Sequence, residues 1–287
     1  MMIRENVTEN GNIYGKWQIA GDTWCITDGW KNFAYLLIGK EKALLIDSCS
    51  GEGNIRAVIE SITEKPVMVL STHGHFDHTG GNSCWPDAWM TKEAALHAKE
   101  PFDPIHEEWF QAKAYPDYQI HDIQDGQKID LGQRIVKIIS IPAHSEGSVA
   151  ILDEKTRFLF TGDEIESGQV IWIVRNQSVS VKELARMHKT NMQKLLEYRS
   201  NYDYIWPAHN GIPLEPDRYL QDFIKLDELI MEDNQQTLED TAGFGFPADN
   251  QAVPNPFQDY GKLYRAQYGA ASVVYSESSV VYHNKQK

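Results

Sequence analysis

Cysteine is scarce in this 287-residue sequence: three residues, Cys25, Cys49 and Cys84, with no C-x-x-C pair. An odd number without paired spacing gives no disulfide framework and leaves reduced, partly buried thiols as the expectation. No apolar run approaches the length of a membrane span. The first ten residues, Met-Met-Ile-Arg-Glu-Asn-Val-Thr-Glu-Asn, contain no apolar secretory core, so a cytoplasmic protein is expected. Positive charge is also in short supply: 27 Lys and Arg stand against 41 Asp and Glu, a net charge of −14. That balance argues against a general phosphate-backbone binder and against an anionic membrane surface, so neither nucleic acid nor membrane is an expected partner. Solenoid-spaced repeats and low-complexity tracts are absent as well. What is present is 41% apolar and 11% aromatic content, enough for a sizeable core, with an ordinary 24% charged. One domain over 1–287 is expected, with 241–287 as a loop and hairpin extension packed on it.

One stretch concentrates chemistry. Ser71-Thr72-His73-Gly74-His75-Phe76-Asp77-His78-Thr79-Gly80-Gly81 places His73, His75, Asp77 and His78 within six residues. It follows Pro66–Leu70, a short apolar run that reads as a buried strand. The ligands therefore sit on a strand-end loop, where a rigid scaffold can aim them. Imidazole and carboxylate suit zinc, iron or manganese. With Gly74 between them, His73 and His75 can face one ion, while Asp77 and His78 diverge and can serve a second.

Along the chain, Lys16–Thr27, Phe33–Ile38 and Ala43–Ile46 read as strands, the last ending at Asp47. Asp47 is either a turn cap or a carboxylate fixing the tautomer of a histidine ligand. Ile55, Val58, Ile59 and Ile62 recur at helical spacing. Ala88–Met90 reads as a strand and Lys92–Lys99 as a short helix. Residues 101–121 mix aromatics, acids and prolines, as a lid, a pocket wall or a surface loop would. His97, His106 and His121 show no ligand-like spacing. Lys128–Leu131, Arg134–Ile141, Val149–Leu152, Arg157–Phe160, Val170–Val174 and Tyr202–Trp206 read as strands. A capping box at Ser180 and Glu183 opens a helix on which His188 faces the core. Pro216–Met231 is a helix, 241–258 an irregular loop, and Ser272–Tyr275 with Ser279–Tyr282 a terminal hairpin.

Three further strand ends carry single ligand-type residues: Pro142-Ala143-His144, Thr161-Gly162-Asp163 and Pro207-Ala208-His209. A shared sheet edge would bring all of them to the first motif. His73, His75 and His144 then make a three-nitrogen site with an open fourth position. Asp77, His78 and His209 make a second, and Asp163 bridges the two.

Taken in order and spacing, these motifs resemble the metallo-β-lactamase fold superfamily over about residues 16–215, most closely its dinuclear hydrolases, glyoxalase II and the acyl-homoserine lactonases. The resemblance implies an α/β fold: an αββα sandwich of two mixed β-sheets with helices on the outer faces and metals at one edge. It implies two divalent ions, zinc first, with Mn2+ or Fe2+ as alternatives. The ligands are His73, His75, Asp77, His78, His144, Asp163 and His209. Asp77 and Asp163 act on the nucleophile and the proton. A lactonase would carry Tyr shortly after the bridging Asp, whereas Glu164-Ile165-Glu166 stands here. Glyoxalase II uses a basic helical C-terminal part, whereas this tail has few basic residues. The expected activity is hydrolysis of an ester, thioester, lactone or phosphoester of a small molecule, by a monomer or a homodimer. An iron-dependent persulfide dioxygenase and a non-catalytic metal-bound sensor are the alternatives from other classes.

Overall fold

In the computed structural model, which describes residues 14–29, 31–51, 53–99, 117–172, 179–235, 237–239 and 263–276, the short apolar runs become strands of facing sheets. The first sheet holds seven strands in chain order: β1 (Gly15–Ala20), β2 (Thr23–Thr27), β3 (Phe33–Ile38), β4 (Ala43–Ile46), β5 (Val67–Leu70), β6 (Asp87–Met90) and β7 (Gln119–Asp122). Strands β1 to β4 pair antiparallel, and β4 to β7 pair parallel. The parallel step from β4 to β5 needs a crossover, which helix α1 (Ile55–Glu60) supplies while burying Ile55, Val58 and Ile59. Two one-turn helices follow, α2 (Phe76–Thr79) and α3 (Lys92–Ala95).

The second sheet runs in the order β13, β11, β10, β9, β8, from β8 (Lys128–Asp130), β9 (Ile135–Ser140), β10 (Val149–Asp153), β11 (Phe158–Gly162) and β13 (Tyr204–Pro207). Helix α4 (Val181–Glu197) connects the parallel pair β11 and β13, and α5 (Pro216–Met231) follows. Alternation along the strands sorts side chains into layers. Tyr35, Leu37, Leu44, Ile46 and Leu70 of the first sheet meet Val136, Ile138, Ile151, Phe160 and Trp206 of the second in one apolar core. The other face of the first sheet packs on α1 through Ala34, Leu36, Leu45 and Val69. The other face of the second packs on α4 and α5 through Ile139, Ala150, Leu152 and Leu159. Every residue of β10 and β11 is buried, so these strands read as continuous apolar runs. This is the αββα layering that the sequence led us to expect.

The differences lie where no long apolar run marks a strand. The expected strand Lys16–Thr27 is two, β1 and β2, divided by a turn at Gly21 (φ +39°). Strand β7 overlaps the end of the 101–121 stretch read as a lid, pocket wall or surface loop, and Gln119–Asp122 pairs with β6 without an apolar run of its own. Helix α3 stops at Ala95 rather than Lys99. A hairpin is formed by β15 (Leu263–Tyr268) with β16 (Ala271–Ser276), turning at Gly269 (φ +57°), upstream of the expected one of 272–275 with 279–282. Residues 279–282 lie outside the described residues, as do the 101–116 and 241–258 stretches and His106. β16 pairs parallel with β12 (Val170–Trp172), and β14 (Thr237–Glu239) pairs with β15, giving a third sheet in the order β12, β16, β15, β14. Its Ala266, Val273 and Tyr275 share the apolar core of α4 and α5.

Candidate metal centre

The two main sheets are joined at the edge where β4, β5 and β11 end. Val149 N donates to the Thr72 carbonyl (2.9 Å), Phe33 N to the Ala208 carbonyl (2.8 Å), and Tyr35 Oη to the Pro207 carbonyl (2.5 Å). These bonds bring the loops after β5, β9, β11 and β13 to one place. His73 and His75 lie on the loop after β5. Asp77 and His78 lie on the single turn α2, a local departure from the expected loop, with His75 as its N-cap residue. Two glycines let that turn press against the loop after β4: a Cβ on Gly80 would sit 2.2 Å from the Ser50 carbonyl oxygen, and one on Gly81 2.4 Å from that of Ser48.

All seven ligand-type residues converge, in two groups whose donor atoms lie within 4.8 Å of one another: His73, His75 and His144; and Asp77, His78, Asp163 and His209. In the first, His75 Nδ1 lies 3.0 Å from both His73 Nε2 and His144 Nε2. In the second, His209 Nε2 is 3.3 Å from His78 Nε2 and 3.3 Å from Asp77 Oδ2. Asp163 faces both groups. Its Oδ2 lies 3.5 Å from His144 Nε2, 3.9 Å from His73 Nε2 and 3.3 Å from His209 Nε2, and its Oδ1 3.2 Å from His78 Nε2. His73, His78, His144 and Asp163 are buried, whereas His75, Asp77 and His209 keep some exposure and form the open side.

The donor set fits cations. His144 Nδ1 donates to the Ile171 carbonyl (2.7 Å), which leaves Nε2 as a bare lone pair pointing at the other imidazoles. His78 Nδ1 donates to Asp47 Oδ2 (3.0 Å), which aims its Nε2 at Asp163 Oδ1 (3.2 Å) and His209 Nε2 (3.3 Å). Buried Asp163 Oδ1 meets no hydrogen-bond donor among the described residues. Three imidazole nitrogens in contact at 3.0 Å, with a buried carboxylate 3.5 Å from one of them, form a donor set that suits a cation. The electrostatics differ between the groups. Burial, with the neighbouring imidazoles, lowers His73 and His75, the latter to about 3, and burial lowers His144 too. These are neutral nitrogen donors. Burial opposes charge on His78 and His209 as well, but the carboxylates outweigh it and push both well above the usual imidazole range. Burial would raise Asp77 and Asp163, yet His78 and His209 hold both well below the carboxylate range.

Asp47 reaches, through its carboxylate, the start of the His73 loop and the His78 ring. It accepts from Thr72 N (2.6 Å) and Thr72 Oγ1 (2.9 Å), and it also fixes the His78 ring. Its φ of +59° is a left-handed conformation that aspartate tolerates better than most residues. Asp47→Ala is expected to weaken metal binding by about 10- to 100-fold, the effect of losing the partner of a ligating histidine. Competition with a chromophoric chelator checks it; unchanged affinity would leave Asp47 as a turn cap alone. His121 is elsewhere, paired with Asp87 (2.6 Å) and stacked on Trp89. His188 packs inside the protein, as its helix face implied. Sequence reasoning missed Glu164 and Glu166 as parts of the site's surroundings. Both are buried, and burial pushes Glu164 up to about 7 and, with Asp163, Glu166 up to about 8. Two glutamates flanking the apolar Ile165 directly after Asp163 were the available signal.

The model of the metallo-beta-lactamase superfamily matches residues 27–229, which carry all seven of these residues. The chain belongs to that superfamily. Among curated proteins it is similar to the acyl-coenzyme A thioesterase MBLAC2 of Homo sapiens, 24% identical over 172 residues, covering 48% of this chain and 60% of the relative. The Gallus gallus MBLAC2 is 24% identical over 208 residues, covering 61% and 71%. The hydroxyacylglutathione hydrolase of Francisella philomiragia is 27% identical over 146 residues, covering 50% of each chain. The match thus spans only 50–60% of the length of most such relatives. Of solved structures, a metallo-beta-lactamase from Pontibacter korlensis superposes with a TM-score of 0.56 at 15% identity, covering 75% of this chain and 99% of that one. One from Erythrobacter litoralis gives 0.54 at 16%, covering 75% and 96%. These structures share the fold. No described helix is long and apolar enough to cross a membrane.

Proposed function

We propose that this protein hydrolyses a thioester of a small molecule at a dinuclear centre, with His73, His75 and His144 holding one divalent ion and Asp77, His78 and His209 the other. The observation that carries the reading is the placement of Asp163, whose two oxygens face both groups of donors at 3.2–3.9 Å. A carboxylate so placed would reach a cation held by either group. Zinc fits first, because imidazole nitrogen with carboxylate oxygen is its usual donor set outside thiolate sites, with Mn2+ and Fe2+ as alternatives. Bound there, such ions supply a water acidified to near-neutral pH and polarise an acyl carbonyl.

The chain's own groups do the rest. Asp47 and the Ile171 carbonyl hold His78 and His144 in the tautomers that leave Nε2 free. Asp77, on the open side and kept ionised by His78 and His209, can accept a proton at Oδ2 and return it to the leaving thiolate. The acyl–sulfur bond is preferred among ester, lactone and phosphoester because the relatives named for coenzyme A and glutathione both act on acyl groups carried on sulfur. The test pairs elemental analysis of protein purified without added metal with a screen of acyl-CoA, acylglutathione, aryl ester, lactone and phosphodiester substrates. About two ions per chain with thioester cleavage as the fastest reaction is the expected result. One iron per chain with no hydrolysis would overturn it and favour dioxygenase chemistry.

A further inference from the structure

Behind the metal centre runs a buried polar chain that the proposed chemistry does not use. Helix α5 contributes Asp227, whose Oδ2 accepts from His188 Nδ1 on α4 (2.9 Å). The other ring nitrogen, His188 Nε2, donates to the Glu164 carbonyl (2.9 Å). One turn further along α4, Asn191 Nδ2 donates to Glu164 Oε1 (3.0 Å), and Glu164 Oε2 accepts from the backbone N–H of His144 (3.0 Å). Glu164 therefore ties the peptide that follows Asp163 to the peptide that carries His144, and α4 holds Glu164 from both its carbonyl and its side chain. Every member of the chain is buried. The rings of Trp172 and Phe223 flank His188 edge-on at 5.4 and 5.0 Å, which leaves the imidazole one orientation.

We propose that His188, Asp227, Asn191 and Glu164 are positioning residues that hold the His144 and Asp163 loops in register for metal binding. The proposal rests on the reading of these loops as ligand loops. Packing alone does not call for this arrangement. Apolar residues of similar volume join two helices as well as a buried ion pair does, and often better. Asp227 Oδ1 is even left without a hydrogen-bond donor among the described residues, a penalty an apolar pair would avoid. What the pair achieves is two simultaneous donations. Both ring nitrogens of His188 face oxygen acceptors, and a neutral imidazole carries only one N–H. The imidazolium serves both. Burial opposes that charge, but Asp227, then Glu164, outweigh it and raise His188 to about 9. Replacing Asp227 by Asn removes the counter-charge. A neutral His188 then keeps both contacts only in the tautomer that accepts at Nδ1 from the new amide, and both bonds lose their charge assistance.

Zinc affinity, measured by competition with a chromophoric chelator, tests this alongside thermal melting of the metal-free chains. The variants are Glu164→Gln and Asp227→Asn. In Glu164→Gln an NH2 replaces one carboxylate oxygen and so opposes either the His144 N–H or the Asn191 amide. Asp153→Ala is the control, because Asp153 sits in a buried ion pair with Arg134 away from the site. Both test variants are expected to bind zinc about 10- to 100-fold more weakly than the unaltered chain. The control should stay within about twofold, the scatter of independent sites, whatever its melting temperature. Test variants that bind as tightly as the unaltered protein, or that lose no more than the control, would overturn the proposal. Should Asp227→Asn not fold, Asn191→Ala removes one bond to Glu164 and leaves the His188–Asp227 pair intact; a loss beyond the control's supports the proposal and an unchanged affinity overturns it. An unaltered chain that binds no zinc overturns the metal-centre reading and this proposal together. Tight binding with unaffected variants overturns this proposal alone.

Discussion

Asp163→Ala is expected to lower bound metal from two ions per chain towards one and to reduce hydrolysis by more than about 100-fold, beyond the upper end for losing only the partner of a ligand. Asp163 is the residue whose carboxylate faces both donor groups, so its loss separates them. The fold should survive. Among the described residues no backbone group bonds this side chain, whose partners are the His78 and His209 rings. The charge argument points the same way. His78 and His209 keep Asp163 ionised against burial, and without it they lose their strongest reason to be charged. They revert towards neutral imidazoles rather than becoming stranded cations. Elemental analysis, kcat and the far-UV circular dichroism spectrum together check this. Two firmly bound ions in the variant would refute the bridging role, and a lost spectrum would show that the residue is structural.

Asp153→Ala is expected to destabilise the protein by about 3–5 kcal/mol, the usual effect of breaking a buried ion pair by removing one partner. Metal content per folded chain should stay the same. Asp153 ends β10, at the far end of the strand from Val149 and the site. It holds Arg134 through two bonds, Nε to Oδ1 at 3.2 Å and Nη2 to Oδ2 at 2.6 Å. Arg134 is fully buried and also reaches across to the first sheet, donating to the Asp22 carbonyl (2.9 Å), the Ile38 carbonyl (3.3 Å) and Thr23 Oγ1 (2.6 Å). Asp153 further accepts from Thr156 Oγ1 and from Lys155 N, which closes the β10–β11 turn. Removing the carboxylate leaves a guanidinium in the interior without its counter-charge, and the loss would be a large share of the 5–15 kcal/mol typical of a folded domain. Denaturant unfolding with metal analysis of the folded fraction checks both halves. A change under about 1 kcal/mol, the size of an exposed pair, would show that water reaches the guanidinium.

The sequence by itself determined what local chemistry determines. Seven ligand-type side chains stand at strand ends, and the apolar runs and the capped α4 and α5 were legible because periodicity and capping act over a few residues. His188 was legible as a core residue because its helical neighbours placed it on the buried face. Only the tertiary structure decided what depends on partners far apart in the chain. Asp47 was equally a cap or a histidine partner until the fold set it 3.0 Å from His78, 31 residues away. Glu164 gave no sign of clamping the His144 loop, since that bond spans 20 residues and two loops. Strand β7, the pairing of β15 with β16 and the parallel pairing of β12 with β16 also lay beyond reach. An edge or mixed-polarity strand is specified by the neighbour it bonds, and a ladder between residues 170 and 273 leaves no periodic trace in either segment. Short-range energies are written in the order of residues, whereas contacts between distant segments exist only once the backbone has closed on itself.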